Sequence, residues 1–134
     1  MKILGLDIGD RWTGIAISDA IGLLARPLKT VAARDLEDEL TKLLVAESIS
    51  TVVVGYPKTL RGTESDQTRK VKAHAAELKI AFPDVTWVLW DERLTSQQAS
   101  KIKKINTKED KFNSHAVAAS ILLSSYLDSK RFDF

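Results

Sequence analysis

Leu4-Gly5-Leu6-Asp7-Ile8-Gly9-Asp10-Arg11-Trp12-Thr13-Gly14-Ile15-Ala16-Ile17-Ser18-Asp19 reads as a buried strand, a tight glycine turn and a second strand. One acidic residue, Asp7, is embedded in the first apolar run. A carboxylate is costly to bury unless something charged faces it. A divalent metal or a phosphate–metal complex is the common solution. The structural alternative is a satisfied polar residue at a strand end.

Outward from this stretch, the pattern predicts strands over Ile3–Ile8 and Gly14–Ser18, joined by a hairpin around Gly9, Asp10 and Arg11. A third, short strand is expected over Leu28–Ala32. Asp35 is a good N-cap, and Leu36, Leu40, Leu43 and Leu44 recur at helical spacing. Thr51–Val54 is β-branched and apolar, as in a strand buried on both faces. Residues 58–65 read as a loop and 66–82 as a helix that turns Val71, Ala75 and Leu78 inward and closes at Pro83. A buried strand is expected over Val85–Trp90, stopping at Asp91-Glu92-Arg93. Beyond it come a lysine-rich helix over 95–105, a polar and mobile stretch over 106–112, and a last helix over 115–128 capped by Asn113 or Ser114. The expected fold is α/β, a single domain over 1–134: a five-stranded mixed sheet, three antiparallel strands and then two more, flanked by helices. Ligands in such sheets gather where buried strands end. Asp7 and the Asp91-Glu92 pair therefore converge if their strands are neighbours.

The 134 residues allow one real core, and 44% hydrophobic with 28% charged residues is ordinary for a globular protein. The absence of cysteine excludes disulfides and thiolate metal sites. No apolar run approaches the roughly 20 residues needed to span a bilayer. The first strand begins almost at once, which leaves no room for a signal peptide, and a cytoplasmic location is expected. A net charge of +2 does not by itself argue for nucleic acid. Its distribution says more: Lys101, Lys103, Lys104, Lys108 and Lys111 crowd one segment, Lys58 and Arg61 share a loop, and Arg69, Lys70 and Lys72 follow it. Solvated surface is the alternative account of such clusters.

Leu4-Gly-Leu-Asp-Ile-Gly9, Gly14-Ile-Ala-Ile-Ser-Asp19, Val54-Gly-Tyr-Pro57 with Gly62-Thr63, Trp90-Asp-Glu-Arg-Leu-Thr95 and Ala118-Ala119 together resemble the YqgF family of ribonuclease H-like proteins, in family order and across nearly the whole chain. The Asp-Glu-Arg-Leu-Thr block after a buried strand is the specific part; the glycine hairpin alone is weak. The family is described as Holliday-junction resolvases and as nucleases that mature the 5′ end of pre-16S ribosomal RNA. The resemblance implies a ribonuclease H-like fold and metal-dependent phosphodiester hydrolysis, with Mg²⁺ or Mn²⁺ as cofactor.

By the same resemblance the metal ligands are Asp7, Glu92 and the residue at position 115. Asp91 lies beside Glu92, and strand alternation lets only one of the two face the metals. Glu92 is preferred, leaving Asp91 to hold Arg93 or cap the next helix. The family's third acid is an aspartate, where this chain has His115. Magnesium seldom accepts imidazole, whereas manganese and zinc do. His115 is thus open to three readings: ligand of a softer metal, general acid or base, or mark of a lost ligand and weakened activity. Lys58, Arg61, Arg69, Arg93, Lys101 and Lys104 are the candidate phosphate contacts. Thr13 and Gly14 are expected to let the backbone approach substrate closely.

Precursor ribosomal RNA is the expected nucleic-acid partner, with a DNA four-way junction as runner-up and a monomer or weak homodimer as the acting form. Asp-Ile-Gly followed by Thr-Gly also resembles the phosphate loop of actin-like and sugar-kinase ATPases, which need two such domains. A nucleic-acid-binding module without catalysis is the third class. Trp87 and Trp90, on opposite strand faces, are expected to be packing residues. Trp12, in the hairpin, is either exposed surface or a platform for a base.

Overall fold

The computed structural model describes residues 1–56, 66–91 and 108–131, with side chains from 114 to 130 in the last segment. The strands are β1 (Lys2–Ile8), β2 (Trp12–Ser18), β3 (Ala25–Ala32), β4 (Ile49–Tyr56) and β5 (Thr86–Asp91). The helices are α1 (Leu36–Ala46), α2 (Asp66–Ala81) and α3 (Lys108–Arg131). One sheet runs in the order β3-β2-β1-β4-β5, so Asp7's strand is central. β1–β2 and β2–β3 pair antiparallel; β1–β4 and β4–β5 pair parallel. The parallel strands β1, β4 and β5 therefore end at the same edge, with Asp7, Tyr56 and Asp91 near their C-termini.

Strand alternation sorts the apolar residues into two cores. Leu4, Leu6, Ile15, Ile17, Val52 and Val54 pack with Leu36, Leu40, Val71 and Leu78 of α1 and α2 on one face. Ala16 and Val53 pack with Ala119, Leu123, Tyr126 and Leu127 of α3 on the other. Val52, Val53 and Val54 are each fully buried, as a strand covered on both sides requires. Trp87 joins the first core and Trp90 the second. Each indole also finds a polar partner: Trp87 Nε1 donates to the Phe82 carbonyl at 3.0 Å, and Trp90 Nε1 to Ser125 Oγ at 3.4 Å. Trp90 meets Tyr126 edge-on, with ring centroids 5.4 Å apart.

The order of the five strands and the helices α1 and α2 follow the sequence pattern. β5, expected to be a buried strand, has no buried residue: it is the outer strand of the sheet, paired on β4, and Leu89 is exposed. Three further local expectations differ as well. β3 extends back to Ala25, because pairing with β2 continues to Ser18↔Ala25 across a register shift. Asp35 stands at the α1 N-cap position but makes no side-chain cap; a 3₁₀ turn over Ala33–Asp35 leads into the helix instead. α3 starts at Lys108, so Asn113 and Ser114 lie inside it and 108–112, expected to be mobile, are helical. Lysine and glutamate propagate a helix well, and acids in a first turn complement its dipole. The expected loop over 58–65 and helix over 95–105 lie outside the described residues.

Candidate functional site

Asp7 sits one residue from the C-terminal end of β1, partly exposed in a strand otherwise buried on this stretch. Its cross-strand partners are Gly14 on β2 and Gly55 on β4, and Gly55 in turn pairs with Trp90. The row across the sheet thus reads Gly14–Asp7–Gly55–Trp90. Asp7 thus stands in its row between two residues without side chains. The ion pairs among the described residues, Lys2–Glu47, Lys29–Glu39 and Arg69–Asp66, do not include Asp7.

At Gly14 a side chain has no room. A Cβ built on it would lie 1.9 Å from the His115 carbonyl oxygen and 2.7 Å from the Ala116 nitrogen. The backbone of α3 therefore rests directly on β2 at this point. Farther along, a Cβ on Gly5 would meet Leu123 Cβ at 2.8 Å, so the helix is seated at two glycines. Opposed residues on antiparallel strands are about 4.5–5.5 Å apart, so the turn carrying His115 lies beside Asp7's row. The openness of Gly14, which the sequence suggests is for substrate, is filled by this helix. Thr13 is fully buried on the opposite face, and its Oγ1 has no hydrogen-bond partner among the described residues.

Asp91 pairs with Tyr56, one residue out of phase with the Asp7–Gly55–Trp90 row. Its side chain belongs to the α1–α2 face, with Tyr56, and not to Asp7's face. β1 and β5 are not neighbours; β4 separates them, placing their backbones about 9.5 Å apart. Gly55 is the residue of β4 that stands between Asp7 and Trp90 in this row. Glu92, Arg93, Lys58, Arg61, Lys101 and Lys104 lie outside the described residues. Arg69 is exposed on the first turn of α2 and pairs with Asp66 of the same turn. Lys72, one turn on, places its ammonium 5.3 Å from the centroid of the Tyr56 ring. Among the described residues no group of three or more His, Asp or Glu side chains is close enough to hold a metal. No helix among them is long and apolar enough to cross a membrane.

The role of Gly55 as the spacer beside Asp7 is missing from the sequence reading. Its signal was the glycine that interrupts Val52-Val53-Val54 just before Tyr56-Pro57.

Comparison with known proteins agrees with this architecture. A Rubrobacter xylanophilus protein named "Putative pre-16S rRNA nuclease" is 37% identical over 95% of this chain and 92% of its own length. A Carboxydothermus hydrogenoformans protein of the same name is 38% identical over 97% of this chain and 98% of its own. Among solved structures, Thermus thermophilus RuvC in complex with a Holliday junction substrate superposes with a TM-score of 0.61 at 16% identity, covering 98% of this chain and 96% of that one. This likeness shows the ribonuclease H-like fold. The family model described as RuvX, Holliday junction resolvase, matches residues 1–129. With that match spanning almost every element described above, the chain belongs to the RuvX family.

Proposed function

We propose that this protein is a divalent-metal-dependent nuclease that hydrolyses phosphodiester bonds, acting on the 5′ region of precursor 16S ribosomal RNA. The observation that carries the reading is Asp7: a partly exposed carboxylate on the central strand, at the edge where three parallel strands end, flanked by Gly14 and Gly55. The relatives' names point to the same chemistry and to the RNA substrate.

The donor set fits a divalent cation. Asp7 supplies a hard oxygen ligand, Glu92 is the proposed second carboxylate, and His115 is the proposed third donor. Asp91 is assigned a supporting role, since its pleat phase is opposite to that of Asp7. A divalent cation held there supplies the Lewis acidity that phosphodiester hydrolysis near neutral pH requires. The chain's own contribution is rigidity: Asp7 is fixed by pairing on both sides, and the His115 turn is fixed by its seat on Gly14. An imidazole at position 115 favours manganese over magnesium. Lys58, Arg61, Arg69, Arg93, Lys101 and Lys104 are the proposed phosphate contacts, which position a strand without reading its sequence.

The RuvX family description and the RuvC-like fold favour a second substrate, a DNA four-way junction. Symmetric cutting of a junction needs a two-fold dimer, whereas RNA trimming does not. The two are separated by incubating the protein with end-labelled precursor 16S RNA and, in parallel, a four-way junction, each with Mg²⁺ and with Mn²⁺. RNA cleavage that prefers Mn²⁺, and that becomes Mg²⁺-supported in His115→Asp, is expected. Cutting of the junction alone would replace the RNA reading, and no cutting of either with either metal would leave a binding protein.

A further inference from the structure

Trp12 is 37% exposed, while the chain's other two tryptophans, Trp87 and Trp90, are packed in the two cores. Its position is specific. It opens β2, and alternation from Gly14 and Ala16 puts it on the face that carries Asp7 and α3. It lies two residues beyond Gly14 along β2, toward the edge where β1 ends. Standard strand spacings put its Cα about 8 Å from that of Asp7. Its backbone is fixed on both sides: Gly9 N–H donates to the Trp12 carbonyl at 2.9 Å, and Trp12 pairs with Ala32 of β3. Ala33 N–H donates to the Arg11 carbonyl at 2.9 Å, which ties the hairpin to the start of the α1 segment and holds this corner rigid.

An indole at the paired start of β2, on the site's own face and within a nucleotide or two of the proposed cleavage centre, has the placement of a stacking platform. We propose that Trp12 stacks on an unpaired base flanking the phosphodiester that is cut. The proposal rests on the nucleic-acid reading above and deepens it. Every base presents a π-face, so such a contact is tolerant of sequence but requires the base to be out of a duplex. The preferred substrate is therefore single-stranded at the cut, with one base taken up by Trp12.

The test is equilibrium binding without divalent cation, so that nothing is cleaved. The probes are a mixed-sequence single-stranded oligonucleotide, its duplex form, and the single strand with abasic sites. Wild-type, Trp12→Phe and Trp12→Ala proteins are compared. The expected result is tryptophan emission quenched on binding single strand in the wild type and not in Trp12→Phe. Affinity should fall about 5- to 100-fold in Trp12→Ala, the range for loss of one stacked base. Trp12→Phe should retain most of it, and abasic sites should erase the difference between wild type and Trp12→Ala. Equal affinity in all three proteins, with quenching persisting in Trp12→Phe, would overturn the stacking role and leave the nucleic-acid reading standing. Failure of the wild type to bind any of the probes would overturn both.

Discussion

At the scale of single residues, two glycines do more to define the site than any charged group except Asp7. Gly14 and Gly55 flank Asp7 across the sheet, and Gly14 admits the α3 backbone. Replacing Gly14 with alanine puts a methyl inside the His115 carbonyl, which is backbone and cannot swing aside. Gly14→Ala should therefore destabilise the fold by about 3 kcal/mol or more, at the upper end of overpacking costs. Thermal unfolding checks this: a melting temperature lowered by about 10 °C is expected, and an unchanged one would mean that α3 does not rest there. Asp7 was legible from the sequence because a lone acid in an apolar run has few structural excuses. The opposite phases of Asp7 and Asp91 were not, since parity along one strand says nothing about its register with another. Only the pairs Asp7↔Gly55 and Gly55↔Trp90 decide which face each residue occupies.

At the scale of elements, the end of α1 carries a visible local cost. Ser48 follows the helix with φ of +52°, a left-handed conformation that suits glycine and strains a side chain. Ser48→Gly is expected to stabilise the protein by up to about 1 kcal/mol, read as a higher urea midpoint at unchanged m-value. Next to it, Glu47 accepts from Lys2 Nζ at 2.6 Å and so pins the start of β1 to the end of α1. The Lys2 hydrogen bond and its charge hold the Glu47 carboxyl below its ordinary value of 4.5, with Arg26 adding a little and burial opposing. A carboxyl more acidic when folded than when unfolded binds fewer protons in the folded state. Its contribution is present above about 4.5 and is lost as pH falls through the lowered folded value. Chemical denaturation of wild type and Glu47→Gln should therefore differ at about pH 7, and the difference should shrink as pH falls below about 4.5. A gap that persists in acid would assign the difference to something other than this pair. Helix α3 was only half legible: Ala116, Ala119 and Leu123 declared its buried face, but Asn113 and Ser114 looked like caps and hid the earlier start. Cap propensity cannot stop a helix whose preceding residues also favour helical backbone.

At the scale of the molecule, sheet order turns a scattered set of residues into one edge. Placing β1 at the centre, with β2 antiparallel on one side and β4 then β5 parallel on the other, brings the C-termini of three strands together. α3 covers one face and α1 with α2 the other. The mixed sheet followed from the sequence, because a hairpin signal preceded short β-branched runs separated by helices. The intervening position of β4 did not follow, since apolar runs carry no information on which strand lies between two others. Asp7 is proposed to hold the cation that drives phosphodiester hydrolysis. The most direct test is single-turnover cleavage of precursor 16S RNA by wild type and Asp7→Asn under Mn²⁺, with RNA binding measured in parallel. A rate at least about a thousand-fold lower in Asp7→Asn, with RNA affinity unchanged, is expected. Cleavage at the wild-type rate in Asp7→Asn would contradict that role.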